Sequence, residues 1–204
     1  MIKMLNKIKK IALLLTILLV GLSAKAQPFN LKKMNFIFQK EYIKLKEQDI
    51  DTIIIYQGYC IGCVPVNRDI PTECYGFGDA FILWKSKGEQ YIKRVVCYGE
   101  SSEKVLKISS KPFDVYFKYL PISRRCEKYK DNAVDILPLA DHDYFEQLTL
   151  LSPKINYQIT IAKLQKTSKE WQRYSWVRAN LEIIRITRAE IDKAIEAGLP
   201  TSTP

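Results

Sequence analysis

Cys60-Ile61-Gly62-Cys63 sets two thiols two residues apart, directly after a β-branched run. That spacing suits a reactive thiol pair or one half of a metal site. Cys74, Cys97 and Cys126 complete the cysteine set. A thiol-disulfide oxidoreductase built on Cys60 and Cys63 needs its first sulfur at a helix N-terminus, where the helix dipole lowers the thiol pKa. Pro65 and Pro71 follow too closely for an ordinary helix, and the chain does not alternate strands with helices as that architecture requires. A structural zinc module would draw four thiolates from Cys60, Cys63, Cys74 and Cys97. The first pair has ligand spacing and the second is far too widely separated. The third reading is structural: Cys60, Cys63, Cys74 and Cys97 supply disulfides, and Cys126 is left as a free or intermolecular thiol. Arg124, Arg125 and Lys128 surround Cys126 and favour its thiolate. A bridge from Cys60 or Cys63 to Cys97 would join the ends of two predicted strands. Closing a loop of about 35 residues, it would contribute roughly 3 to 4 kcal/mol in the chain-entropy model.

The compartment arbitrates between these chemistries. Lys3, Lys7, Lys9 and Lys10 precede the apolar run Ile11 to Leu22, and Ser23-Ala24-Lys25-Ala26 offers small residues at the positions a signal peptidase reads. As a helix, that apolar run reaches roughly 18 Å, against a hydrocarbon core of about 30 Å. Residues 1–26 therefore read as a cleavable secretory signal, and the product as periplasmic or secreted. In an oxidising compartment, paired cysteines are usually disulfides.

Removing 26 of 204 residues leaves 178, which suits one domain over 27–200 with a short disordered tail at 201–204. The leader holds five of the 32 Lys and Arg and no acid, so the remainder carries 27 basic against 22 acidic residues, a net +5. Basicity concentrates between Lys85 and Lys130. Lys85, Lys87, Lys93, Arg94, Arg124 and Arg125 are the anion-binding candidates there, for phosphates or acidic glycans on a surface. A solvated sheet face would show the same alternation of lysine with Trp84, Tyr91 and Ile92. Nucleic acid as a partner is disfavoured by the compartment, and nothing after the leader is apolar and long enough to span a membrane.

The single histidine, His142, removes three-histidine zinc sites and paired-histidine metalloprotease helices. It lies in Asp141-His142-Asp143, which reads as a turn or cap in the absence of a Gly-Xaa-Ser-Xaa-Gly elbow. Eight glycines yield no phosphate-cradling loop, and no cofactor is implied.

The elements that must position any site follow from periodicity. Leu31, Met34, Phe38, Tyr42 and Leu45 recur at spacings of three and four, predicting a helix over 30–47 capped by Asn30. Thr52 to Tyr56 predicts a buried strand. Val64 to Tyr75 is rich in breakers and predicts an irregular excursion. Phe81 to Lys85 and Tyr91 to Val96 predict a hairpin across Ser86-Lys87-Gly88-Glu89. Lys104 to Ser109 reads as a strand, and Phe113 to Leu120 is open between helix and strand. Tyr144 to Leu151 and Asn156 to Ala162 predict a second hairpin, with a helix as the competitor for the first arm. Thr167 with Glu170, and Thr187 with Glu190, predict capping boxes opening two C-terminal helices, the second ended by Gly198 and Pro200. Trp171, Tyr174 and Trp176 read as core residues. The sum is an α+β domain, disulfide-stabilised, with an N-terminal helix and C-terminal helices covering one face of a mainly antiparallel sheet. It reads as a non-enzymatic binding or interaction protein whose partner is a protein or an anionic surface ligand.

Overall fold

The computed structural model describes residues 34–61, 71, 74, 77–97, 103–125 and 143–200. The leader, Asn30, Cys63, Cys126, His142 and the tail at 201–204 lie outside the described residues. In chain order the elements are α1 (Phe36–Glu47), β1 (Ile53–Cys60), β2 (Phe77–Ser86), β3 (Glu89–Arg94) and β4 (Val105–Ile108). They continue with α2 (Lys111–Ser123), β5 (Tyr144–Ser152), β6 (Ile155–Ala162), α3 (Lys163–Thr167) and α4 (Ser175–Glu196). The mixed α+β class and the antiparallel sheet predicted from the pattern are present.

All six strands join one sheet in the order β4-β3-β2-β1-β5-β6, every pair antiparallel. Helices cover both of its faces, not one. Ile54 and Tyr56 of β1 lie with Phe81, Leu83, Ile92, Leu148 and Leu150 under α2 and α4, where Phe113, Tyr116, Ile183 and Ile191 are fully buried. Ile53 and Ile55 lie with Ala80, Ile82, Trp84 and Leu151 under α1, against Phe38 and Leu45. The reason is in β1: its apolar residues fall at both parities, and a strand buried on one face cannot shelter them all.

The first hairpin turns at Lys87 and Gly88, both at positive φ as a type I′ turn demands, with Ser86 paired to Glu89. The second hairpin forms as Tyr144–Ser152 and Ile155–Ala162, so the helical alternative for its first arm is excluded. The open segment is helix α2. Its start signals are Ser110 and Pro112 at the first turn, with Asp114 accepting from the Ser110 hydroxyl at 2.5 Å. Helix α1 begins at Phe36, because the Asn35 carboxamide oxygen accepts from the Ile37 amide at 3.2 Å and caps it there.

Neither predicted capping box operates. The Thr167 hydroxyl donates to the Lys163 and Leu164 carbonyls at the end of α3, while Glu170 accepts from Ser168. Thr187 and Glu190 fall inside the 22-residue α4. There the Thr187 hydroxyl donates to the Ile183 carbonyl at 2.8 Å, a back-bond available to any mid-helix threonine. The C-terminal stop is as predicted. Gly198 sits at φ +92, with Gly198 and Leu199 amides returning to the Ile195 and Ala194 carbonyls. Trp171 and Trp176 are buried together with Val177, in the core role expected of them, whereas Tyr174, expected beside them, is exposed and its ring meets theirs only at a tilt.

Glu190 ties α4 to the segment between β4 and α2. Its carboxylate accepts from the Ser109 amide at 3.2 Å and from the Lys193 ammonium at 2.8 Å. Burial pushes this carboxyl up, but the bonds from Lys193 and Ser109 outweigh it and hold the group below the ordinary glutamate range. A depressed folded-state pKa contributes stability above the unfolded value and loses it as pH falls through the folded one. Thermal melts of wild type and Glu190→Gln should therefore differ most near neutral pH and converge as pH drops below about 4. A difference independent of pH would show that the charge of Glu190 contributes nothing.

Candidate functional site

The polar residues that meet in this fold come from four elements. Tyr56 on β1 points toward α4, and its hydroxyl donates to Glu146 Oε1 at 2.5 Å across 90 residues of sequence. Glu146 lies on β5 opposite Gly58 and on the same face as Leu148, which puts a carboxylate at an inward position, 5% exposed. Lys166 on α3 brings its ammonium against Glu146 Oε2. Helix α3 follows β6 without a linker, and Gln165 Oε1 accepts from the Ala162 amide at 2.9 Å, so the lysine's direction is set by its first turn. Arg188 on α4 donates from one terminal nitrogen to the Tyr56 hydroxyl at 3.1 Å and from Nε to Asp192 at 3.2 Å.

Glu146, Lys166, Arg188 and Asp192 form the floor of a cleft of about 510 Å³ along one flank of α4, walled by Leu181, Ile184, Ala189 and the stem of Arg185, while the fully buried Tyr56 holds Glu146 from the core side. The wall residues recur at helical spacing and so share that flank. Burial pushes the Lys166 ammonium below the ordinary lysine range, the Arg188 guanidinium adds to this, and Asp143 opposes it. Asp143 is itself buried, with one oxygen accepting from the Tyr144 amide at 2.8 Å and the other without a hydrogen-bond partner. Beside the floor, the Tyr144 hydroxyl lies so close over Gly58 that a β-carbon there would stand 1.8 Å from it. Any side chain at 58 would require the Tyr144 ring to shift.

Glu146 thus accepts from a hydroxyl and faces an ammonium, and Arg188 is engaged by a hydroxyl and by Asp192. Arg185 is held bidentately by Glu182, at 2.8 and 2.7 Å. Paired charge over an apolar wall suits holding a largely apolar molecule by a single polar end. No family model, curated protein or solved structure matches this chain. The cleft must therefore be read from its own chemistry.

Among the described residues, those singled out by sequence do not line this cleft. Cys74 and Cys97 are joined to each other, with sulfurs 2.08 Å apart, and not by a bridge from Cys97 to Cys60 or Cys63. Cys60 is also disulfide-bonded, and its partner lies outside the described residues. Sulfurs in disulfides are not thiolate ligands, so the four-cysteine zinc set is not available, and among the described residues no cluster of three metal-ligating side chains occurs.

The six basic candidates do not share one surface. Lys93 is buried under α1 between Glu41 and Glu103. Lys85 is on the opposite face, its ammonium 4.9 Å from the centre of the Phe113 ring. Arg94 is buried, Lys87 is exposed at the hairpin turn, and Arg124 and Arg125 are exposed at the end of α2, Arg124 over the Tyr157 ring. Tyr56, Glu146, Lys166 and Arg188 carry no local motif. The one signal open to a sequence reading is the charge of Glu146 at an inward position of the apolar strand Tyr144–Ser152.

Proposed function

We propose that this chain is an exported binding protein, acting in the periplasm or outside the cell without catalytic apparatus of its own, and that its ligand is a small organic molecule held in the cleft beside α4. The observation that carries the reading is the cleft itself: about 510 Å³, apolar walls, and a single polar end made by Glu146, Lys166, Arg188 and Asp192. Small-molecule sites have this volume and this proportion of apolar wall to fixed polar groups. The carboxylate and guanidinium at this end are engaged by Tyr56 and Asp192, an arrangement that supports positioning a ligand over moving a proton. The Cys74–Cys97 bridge is compatible with export, and no helix among the described residues is long and apolar enough to cross a membrane.

The test is displacement by volume. Ala189→Trp puts an indole into the cleft from a half-buried position on the helix surface. Titrated with anilinonaphthalene sulfonate, a fluorophore with aromatic rings and one anionic end, wild type should saturate at one site. The variant should bind at least about tenfold more weakly with an unchanged melting temperature. Equal binding by both proteins, or binding that never saturates, would sink the reading.

A further inference from the structure

On the sheet face that carries α1, the cross-strand rows run Ile53 with Leu151 and Asn156, Ile55 with Thr149 and Gln158, and Gln57 with Gln147 and Thr160. Apolar side chains thus give way across β1, β5 and β6 to polar ones, all of them uncharged. Gln57, Gln147, Thr149, Asn156 and Gln158 form the floor of a cavity of about 150 Å³, closed over by Met34, Asn35 and Phe38 at the start of α1, with Ile55 between. At the liquid volume of water this is space for about five molecules. Gln57 is 8% exposed and Thr149 7%, yet among the described residues neither side chain has a hydrogen-bond partner. Gln147 and Asn156 are in the same position, while Gln158 donates to Thr160 at 3.5 Å and Asn35 accepts from the Ile37 amide. A buried carboxamide or hydroxyl left unpaired is costly, and native structures keep few of them.

We propose that this cavity is a second binding site, on the opposite sheet face from the cleft beside α4 and independent of it, for a neutral polyhydroxylated molecule the size of one sugar ring. The class follows from what the lining lacks and what it offers. A charged ligand would lose its hydration without meeting a counter-charge, since no lining residue is charged. A wholly apolar one would leave Gln57 and Thr149 unpaired. Each carboxamide carries both donors and an acceptor, and each hydroxyl carries both as well, so a ring bearing several hydroxyls can satisfy the floor in either sense at every point. The sheet sets the spacing of those points, roughly 5 Å between strands and roughly 7 Å along one. A ring substituted around its perimeter addresses such a two-dimensional array, whereas a flat heterocycle holds its polar atoms in a single plane. Met34, Phe38 and Ile55 supply the apolar contact for the carbon-hydrogen side of the ring. A site this small supports binding of about millimolar strength.

The experiment follows the side-chain amide resonances of the oxidised full-length chain by heteronuclear NMR. D-glucose, D-galactose, D-mannose and D-ribose are added one at a time to about 100 mM, with sodium acetate at the same concentration as the charged probe and benzene at its solubility limit as the apolar one. At least one sugar should shift the Gln57 and Gln147 carboxamide resonances saturably, and neither control should. Gln57→Leu keeps the volume and removes the amide. It should weaken that sugar's binding at least about tenfold, read at Gln147, with the backbone spectrum away from the cavity unchanged. Thr149→Val makes the same test from β5, and decides the matter if Gln57→Leu folds poorly. Sugars that leave these resonances unmoved would overturn the proposal and leave the cavity to water or to the chain's own remaining residues. Saturation by acetate or benzene as strong as by any sugar would overturn it too, as would sugar binding that the folded variants leave unchanged.

Discussion

The double variant Cys74→Ala/Cys97→Ala should unfold with a free energy about 3 kcal/mol below that of wild type, read from urea midpoints followed by far-ultraviolet circular dichroism. The bridge closes a separation of 23 residues. At that length the chain-entropy cost lifted from the unfolded state is of this order, against a total stability of roughly 5 to 15 kcal/mol for a domain this size. The location adds to the effect, because Cys74 is buried and Cys97 packs against the cluster beneath α1. The variant must leave Cys60 intact, so that the second disulfide is not part of the comparison. A loss below about 1 kcal/mol would mean that the excursion between β1 and β2 is already confined by other contacts.

Lys93→Ala is the second large effect, with an expected loss of about 3 kcal/mol in the same assay. The Lys93 side chain is 4% exposed and lies 3.0 Å from Glu41 and 2.7 Å from Glu103. Deleting it leaves the Glu41 carboxylate, 15% exposed on the inner side of α1, with only the half-exposed Lys44 at 3.2 Å as its ion partner among the described residues. Removing both charges is gentler, and Lys93→Met/Glu41→Gln should lose clearly less than Lys93→Ala. The pH dependence has two limits. Burial pushes the Lys93 ammonium down, but Glu103 and Glu41 more than reverse this and hold it above the ordinary lysine range. Glu103 is held below the ordinary glutamate range by the same contact, with Lys44 and Lys40 adding to it. A raised lysine contributes fully below its unfolded pKa and is lost as pH rises through the folded value; a depressed carboxyl contributes above its unfolded pKa and is lost as pH falls through the folded one. The gap between wild type and Lys93→Ala should thus be flat across the neutral range and narrow only at the two extremes. A gap that already closes near neutrality would contradict the triad.

Neighbour-to-neighbour signals were legible along the chain. The Lys87-Gly88 turn, the β-branched run of β1, the Pro153 hairpin and the Gly198 stop each depend on the conformational preferences of a few adjacent residues, and each is where the pattern predicts it. The capping boxes failed for a related reason. Thr-Xaa-Xaa-Glu caps a helix only if the threonine leaves helical geometry, and α4 runs straight through Thr187 because its buried stripe from Trp176 to Ala194 outweighs any local gain from stopping there.

What the residues determined by themselves is the class of fold and the position of nearly every strand. Tertiary structure alone decided which sheet face each helix covers, which cysteine Cys97 meets, and that six basic residues close in sequence separate onto different surfaces. It alone assembled Tyr56, Glu146, Lys166 and Arg188, the first and last of which are 132 residues apart. The physical reason is one of range. Hydrogen bonds and side-chain preferences within a turn or a strand act over a few residues and leave a pattern in the chain, whereas burial rewards any residue that reaches the core, whatever its distance in sequence.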